Sequence, residues 1–173
     1  MFAALTSIFA QLTIPLPISP VPITLQVLAV CLTAAILGSR LAVLSQLIYI
    51  CVGIIGIPVF SGGTAGLARL MGPTGGYITG FLLSSLVIGR IVEQRPLPTI
   101  RRTFIAMLCG LLVIYTCGML QLSLVSGMTL KAAFMSGVVP FIGMDMIKIA
   151  LGSAVACSVR ATLVKQNLLH PLK

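Results

Sequence analysis

Asp145 and Lys148 stand three residues apart inside a long apolar run, Val138 to Val159. In a helix that spacing puts both side chains on one face. A charged side chain at the centre of a membrane helix costs about 2.5–3.5 kcal/mol on insertion scales, so the pair is a functional candidate by default. The carboxylate accepts N–H groups, and the ammonium supplies donors and charge. Counted from Val138, Asp145 lies roughly 10 Å into the run at 1.5 Å per residue, a depth that suits the floor or wall of a pocket open to the outside. The alternative is a structural ion pair that only neutralises itself. Asp145 is the one acid within an apolar run, which favours a ligand site.

A second candidate is the glycine-rich stretch 60–76, which reads Phe60-Ser61-Gly62-Gly63-Thr64-Ala65-Gly66 and then Gly72-Pro73-Thr74-Gly75-Gly76. Irregular backbone at membrane depth is tolerated only where it is buried in protein or lines a cavity. Glycine lets such backbone come close to a ligand. No Gly-Lys-Ser/Thr follows, so this is no Walker A phosphate loop; the plain alternative is an ordinary outer loop. Arg69, inside the stretch, is either a partner for an anionic ligand group or a solvated loop charge. Thr24, Gln26, Thr74 and Tyr77 flank these features as polar candidates, and Tyr77 also suits an interfacial anchor. Gln46 and Gln121, alone in their runs, read as interhelical hydrogen bonders. Ala3, Ala4, Ser7 and Ala10 form a stripe of small residues at spacings of three and four, which admits close packing by another helix.

These side chains belong to a chain of 173 residues in which 58% are hydrophobic and 8% charged. A soluble domain devotes about a quarter of its residues to charge. One span needs roughly 20 apolar residues, so this length allows about six helices and no separate soluble domain. Breakers and charges divide the sequence into runs at approximately 1–14, 23–38, 41–57, 76–92, 103–125 and 138–160. The proline-rich segment 15–22 separates the first two, and 126–137 reads as a looser connection. The expectation is a single, all-α integral membrane domain with six transmembrane helices in a compact bundle.

The net charge of +9 sets 11 Lys and Arg against two acids, Glu93 and Asp145. Nucleic-acid binding requires a basic patch on one face, whereas these charges sit singly between apolar runs. With the N-terminus cytoplasmic, Arg40, Arg90, Arg95, Arg101, Arg102, Arg160, Lys165 and Lys173 fall inside, and Arg69 and Lys131 outside. Eight against two orients the chain with both termini in the cytoplasm. Glu93 falls among the inner arginines and has no expected role. The first run begins at Met1 and lacks a basic leader or a small-residue cleavage motif, so no signal peptide is expected. Its shortness predicts a short, tilted first helix or an incomplete start. The five cysteines all lie in apolar runs, away from one another and from His170, and read as small hydrophobes. Two carboxylates and one histidine cannot build the usual acid–base or metal machinery, so catalysis is poorly supported.

Longer motifs carry a family resemblance. Pro15-Leu16-Pro17, Ser19-Pro20-Val21-Pro22-Ile23-Thr24-Leu25-Gln26, Gly56-Ile57-Pro58-Val59-Phe60-Ser61-Gly62-Gly63 and Gly72-Pro73-Thr74-Gly75-Gly76-Tyr77 occur in that order. Together with Pro140-Phe141-Ile142, Asp145 and Lys148, they resemble the BioY family, the biotin-binding S components of energy-coupling-factor (ECF) transporters. The resemblance implies six membrane helices, capture of biotin from outside, and association with a transmembrane coupling protein and two cytoplasmic ATPase subunits. It implies that outer loops cover the pocket and that Asp145 and Lys148 contact the vitamin. Asp145 would suit the ureido donors, and Lys148 or Arg69 the carbonyl or carboxylate. Phe60 or Tyr77 would enclose the thiophane ring, with Thr74 and Gln26 completing the substrate-binding set. A small-residue motif in the first helix, commonly alanines four apart, would dock on the coupling protein; Ala3 with Ser7 is the nearest match here. The implied place is the inner (cytoplasmic) membrane, in contact with lipid and without cofactor or metal. A stand-alone transporter or channel, a membrane enzyme, and an S component for another vitamin are the competing readings.

Overall fold

The computed structural model describes residues 1–17, 19–94 and 99–166. Ile18 of the proline-rich motif, Arg95 and Lys173 of the charge argument, and His170 lie outside the described residues. In chain order the elements are α1 (Phe2–Gln11), β1 (Thr13–Ile14), β2 (Ile23–Thr24), α2 (Gln26–Leu37), α3 (Ser39–Ile54), α4 (Leu67–Met71), α5 (Gly75–Glu93), α6 (Ile100–Ser126), α7 (Leu130–Gly137) and α8 (Val139–Lys165).

The first apolar run does not stay helical to residue 14. It breaks at Leu12, and Thr13 and Ile14 pair antiparallel with Thr24 and Ile23. The intervening prolines lack the N–H that would continue a helix, so the chain returns as a short ribbon. The segment expected as a loose connection holds α7, whose N-terminus is capped by Thr129 accepting from the Ala132 N–H at 3.3 Å. Pro140 sits in the first turn of α8, where its missing N–H costs nothing.

Among the described residues, α5, α6 and α8 are long and apolar enough to cross a membrane, at 19, 27 and 27 residues. α1, α2 and α3 are apolar but have only 10, 12 and 16 residues. At 1.5 Å per residue they span about 15–24 Å, against a hydrocarbon core of about 30 Å. Among the described residues, three of the six expected runs thus form helices of full-span length, and the first three form shorter apolar helices. Leu44 and Ile48 of α3, Leu112 of α6, and Ile147 and Leu151 of α8 are exposed on the outside of the bundle. Such an apolar exterior belongs in lipid. This is a mostly helical membrane protein.

α2 is the central helix, packed against α1, α3, α5, α6 and α8. Its Ala29, Val30, Cys31 and Ala34 are inaccessible to solvent. Cys31 thus behaves as a small hydrophobe, whereas Cys51 of α3 is exposed. Two contacts define one end of the bundle. Glu93 of α5 accepts from Ser39 N at 2.6 Å and Ser39 Oγ at 2.9 Å, at the start of α3. Arg160 of α8 donates to the Ala35 carbonyl near the end of α2 at 3.0 Å. Each charge thus meets a helix terminus of complementary polarity. Gly38 makes the turn between α2 and α3 at φ +83°, and a Cβ there would strike the Glu93 carboxyl group. Glu93, with no role expected from sequence, is the acid that caps α3. Arg40, Arg90, Arg101, Arg102 and Lys165 lie at this same end.

Candidate functional site

The opposite end holds a cavity of about 600 Å³, its open mouth included. Its apolar wall comes from Val21 and Pro22 of the first connection, Val27 of α2, Ile78 and Phe81 of α5, and Phe141 of α8. Against this wall stand the polar groups. Lys148 Nζ lies 2.7 Å from Asp145 Oδ1, with the two residues 7% and 3% exposed. The ammonium also donates to the Thr24 carbonyl at 2.7 Å. Asp145 Oδ2 accepts from the Tyr115 hydroxyl of α6, again at 2.7 Å.

A buried ion pair is tolerated when further hydrogen bonds satisfy the groups it takes out of water. Here the pair closes in charge but not in hydrogen bonding. Among the described residues, two of the ammonium's three donors and two of the carboxylate's roughly four acceptor positions are used. Facing the cavity, the pair offers a donor beside an acceptor.

Gln26 opens α2 and lines the cavity. Its Nε2 donates to the Tyr49 hydroxyl of α3 at 2.7 Å, and its Oε1 accepts from Thr24 Oγ1 at 3.2 Å. Both ends of the amide are therefore oriented. Tyr77 is buried in the wall and does not anchor the chain at an interface. Its hydroxyl donates to the Gly137 carbonyl at 2.7 Å, and its ring lies over Gly118, where a Cβ would collide with it. Arg69, carried on α4, lines the cavity beside Ser61 and Thr74. Among the described residues, the Ser61 and Thr74 hydroxyls have no hydrogen-bond partner. Polar atoms buried without partners in the chain are the ones a ligand can satisfy.

Phe60 is the expected site residue that the fold turns away. It is fully buried behind the wall, edge-on to Tyr49 with ring centroids 5.5 Å apart, and it does not line the cavity. A bridge between Phe60 and Thr64 sets this rotation, and Gln11 Nε2 of α1 donates to the Pro58 and Phe60 carbonyls at 3.3 and 3.4 Å. Ser61 faces the cavity in its place. On α1, Ala3 and Ser7 are partly buried, and Ser7 Oγ donates to the Ala3 carbonyl at 2.9 Å. The small-residue stripe is split: Ala10 is buried within the bundle, while Ala4 is exposed. Gln46 reaches Thr6 of α1 at 3.3 Å, whereas Gln121 bonds the Leu70 and Gly72 carbonyls around the end of α4, at 2.6 and 2.9 Å.

Sequence reasoning missed Tyr115, Phe81 and Ser61. Tyr115 carried one usable signal, since a phenol in an apolar run must find a partner. Which partner depends on how α6 is rotated against α8.

The sequence model of the BioY family matches residues 1–165. The chain belongs to the BioY family. It is 42% identical over 156 residues to the probable biotin transporter BioY of Pyrococcus horikoshii, covering 90% of each chain. With the biotin transporter BioY of Thermotoga maritima it shares 34% over 166 residues, covering 96% of this chain and 95% of that one. Its fold is similar to the 2.1 Å crystal structure of the S-component for biotin from an ECF-type ABC transporter. That match has a TM-score of 0.86 and 28% identity, over 92% of this chain and 87% of the other.

Proposed function

We propose that this chain binds biotin at the cavity and serves its uptake as the S component of an ECF-type ABC transporter. The observation that carries the reading is the Asp145–Lys148 pair in the cavity wall, with an acceptor beside a donor. A cyclic urea presents the complement, an N–H beside a carbonyl. The pair sums to zero charge, which suits the uncharged ureido ring. The thiophane ring fits against Ile78, Phe81, Phe141 and the face of Tyr77. A mostly apolar wall carrying a few placed polar groups is the usual lining of a small-molecule site.

Biotin's carboxylate needs a cation and donors of its own, and Arg69 with Ser61 and Thr74 offers both. Asp145 is six residues into α8 from Val139, about 9 Å at the helical rise. Arg69 and Ser61 belong to the connection at the open end. The ureido ring therefore points inward and the carboxylate toward the mouth.

In this reading the chain is a single membrane domain of six crossings, with the short helices α1, α2 and α3 completing the set. The basic end faces the cytoplasm, as positive residues do, and the membrane is the inner one. Energy comes from a transmembrane coupling protein and two ATPase subunits, with Ala3 and Ser7 of α1 on the docking side. The chain captures and carries a ligand; it does no chemistry on it.

Calorimetric titration of the purified chain with biotin tests the proposal. Saturable binding that riboflavin and thiamine do not displace is expected, with no ATP hydrolysis by the chain alone. Displacement by either vitamin would reassign the substrate. Biotin accumulation by the lone chain in liposomes would overturn the need for an ATPase partner.

A further inference from the structure

We infer that Tyr115 is a positioning residue, one whose hydroxyl aims the Asp145 carboxylate at the ligand. The inference deepens the biotin reading and rests on it for the identity of that ligand. Lys148 holds Oδ1 from the same helix, three residues away. One bond leaves a carboxylate free to swing, because its terminal torsion is broad and has no sharp rotamer. Tyr115 supplies the second bond, to the other oxygen and from another helix. Two donors on opposite oxygens fix the plane of the carboxylate, and so the direction of its unused lone pairs. The 2.7 Å length is that of a well-formed O–H···O bond.

Tyr77 provides the contrast. It is a second tyrosine in the same cavity, but its hydroxyl is committed to the Gly137 carbonyl. Removing either hydroxyl is the same chemical change in the same chamber, and only one of the two loosens Asp145.

The test uses the fact that Asp145 is the only aspartate in the chain. Protein grown with carboxyl-labelled [13C]aspartate gives one side-chain carboxyl resonance for this residue. In the empty protein, Tyr115→Phe should shift that resonance, while Tyr77→Phe should leave it in place. Biotin titration supplies the second readout. Tyr115→Phe should weaken binding about tenfold to a hundredfold, the loss expected for a hydrogen bond to a charged group. In an Asp145→Ala background the same change should cost no more than about twofold, because the acceptor that Tyr115 orients is gone. Asp145→Ser serves as the background if Asp145→Ala does not fold. An unmoved resonance in Tyr115→Phe overturns the inference, as does an equal loss in both backgrounds, which would mean that Tyr115 acts on the ligand directly. If the wild-type chain binds no biotin, the substrate reading falls, and the labelled resonance still decides whether Tyr115 holds Asp145.

Discussion

The Lys148 ammonium and the Thr24 carbonyl, 124 residues apart in sequence, are joined by a 2.7 Å hydrogen bond. One side chain thereby ties α8 to the ribbon that closes the first connection, while its other bond goes to Asp145. The buried ion pair and the chain segment beside it are held by the same charge.

Replacing that charge should be costly. Lys148→Met keeps the length and apolar body of the side chain but leaves the Asp145 carboxyl group buried without its cation, with Tyr115 as its remaining partner. Removing one member of a buried ion pair destabilises by about 3–5 kcal/mol. Thermal unfolding in detergent should show a clear drop, partly recovered in the Asp145→Asn/Lys148→Met double variant. A lone Lys148→Met as stable as wild type would mean that the pair is not buried in the way described.

Asp145→Asn is the milder change at the same place. The amide keeps the shape and one acceptor but loses the charge proposed to draw the ureido N–H. Truncating a buried hydrogen-bonded charge in an interface costs about 2–5 kcal/mol, so biotin affinity should fall about 30-fold or more. Membrane insertion, followed by fractionation of cells, should be unchanged. Unchanged affinity would remove the central role given to Asp145.

Gly118→Ala tests how Tyr77 is seated. The added methyl group meets the Tyr77 ring directly. Overpacking of this kind costs about 1–3 kcal/mol. The loss should be visible in the melting temperature and relieved by pairing the change with Tyr77→Leu, which removes the ring. Full stability in the single variant would show that Tyr77 has room to move.

Glu93→Gln concerns the other end of the bundle. The amide still accepts one bond from Ser39, but the negative charge at the start of α3 is gone. A lost helix cap costs about 0.5–2 kcal/mol. Stability should fall by that order while biotin affinity holds, since distant sites without shared partners act independently. A marked loss of affinity would mean that the two ends are coupled.

Much of the site could be read along the chain because its signals are local. Apolar composition dictates a membrane environment whatever the tertiary arrangement. The three-residue spacing puts Asp145 and Lys148 on one helical face through backbone geometry alone. The glycine- and proline-rich motifs pointed to Arg69, Thr74, Tyr77 and Gln26, and these do line one cavity with that pair.

What local pattern could not supply were contacts between elements. Tyr115 meets Asp145, and Glu93 meets Ser39, only because of how α6, α8, α5 and α3 are rotated and offset against one another. Those offsets depend on where backbones approach closely, as at Gly118 under Tyr77. Phe60 shows the same limit in reverse: its motif places it at the site, but a turn held by Gln11 sends its ring behind Tyr49. The number of full-length helices also lay beyond a count of apolar residues, because an apolar run can end in a ribbon, as at Thr13, as readily as continue its helix. Composition and periodicity therefore decide what medium the chain lives in and which residues share a helix face. Packing across helices decides which of those residues meet.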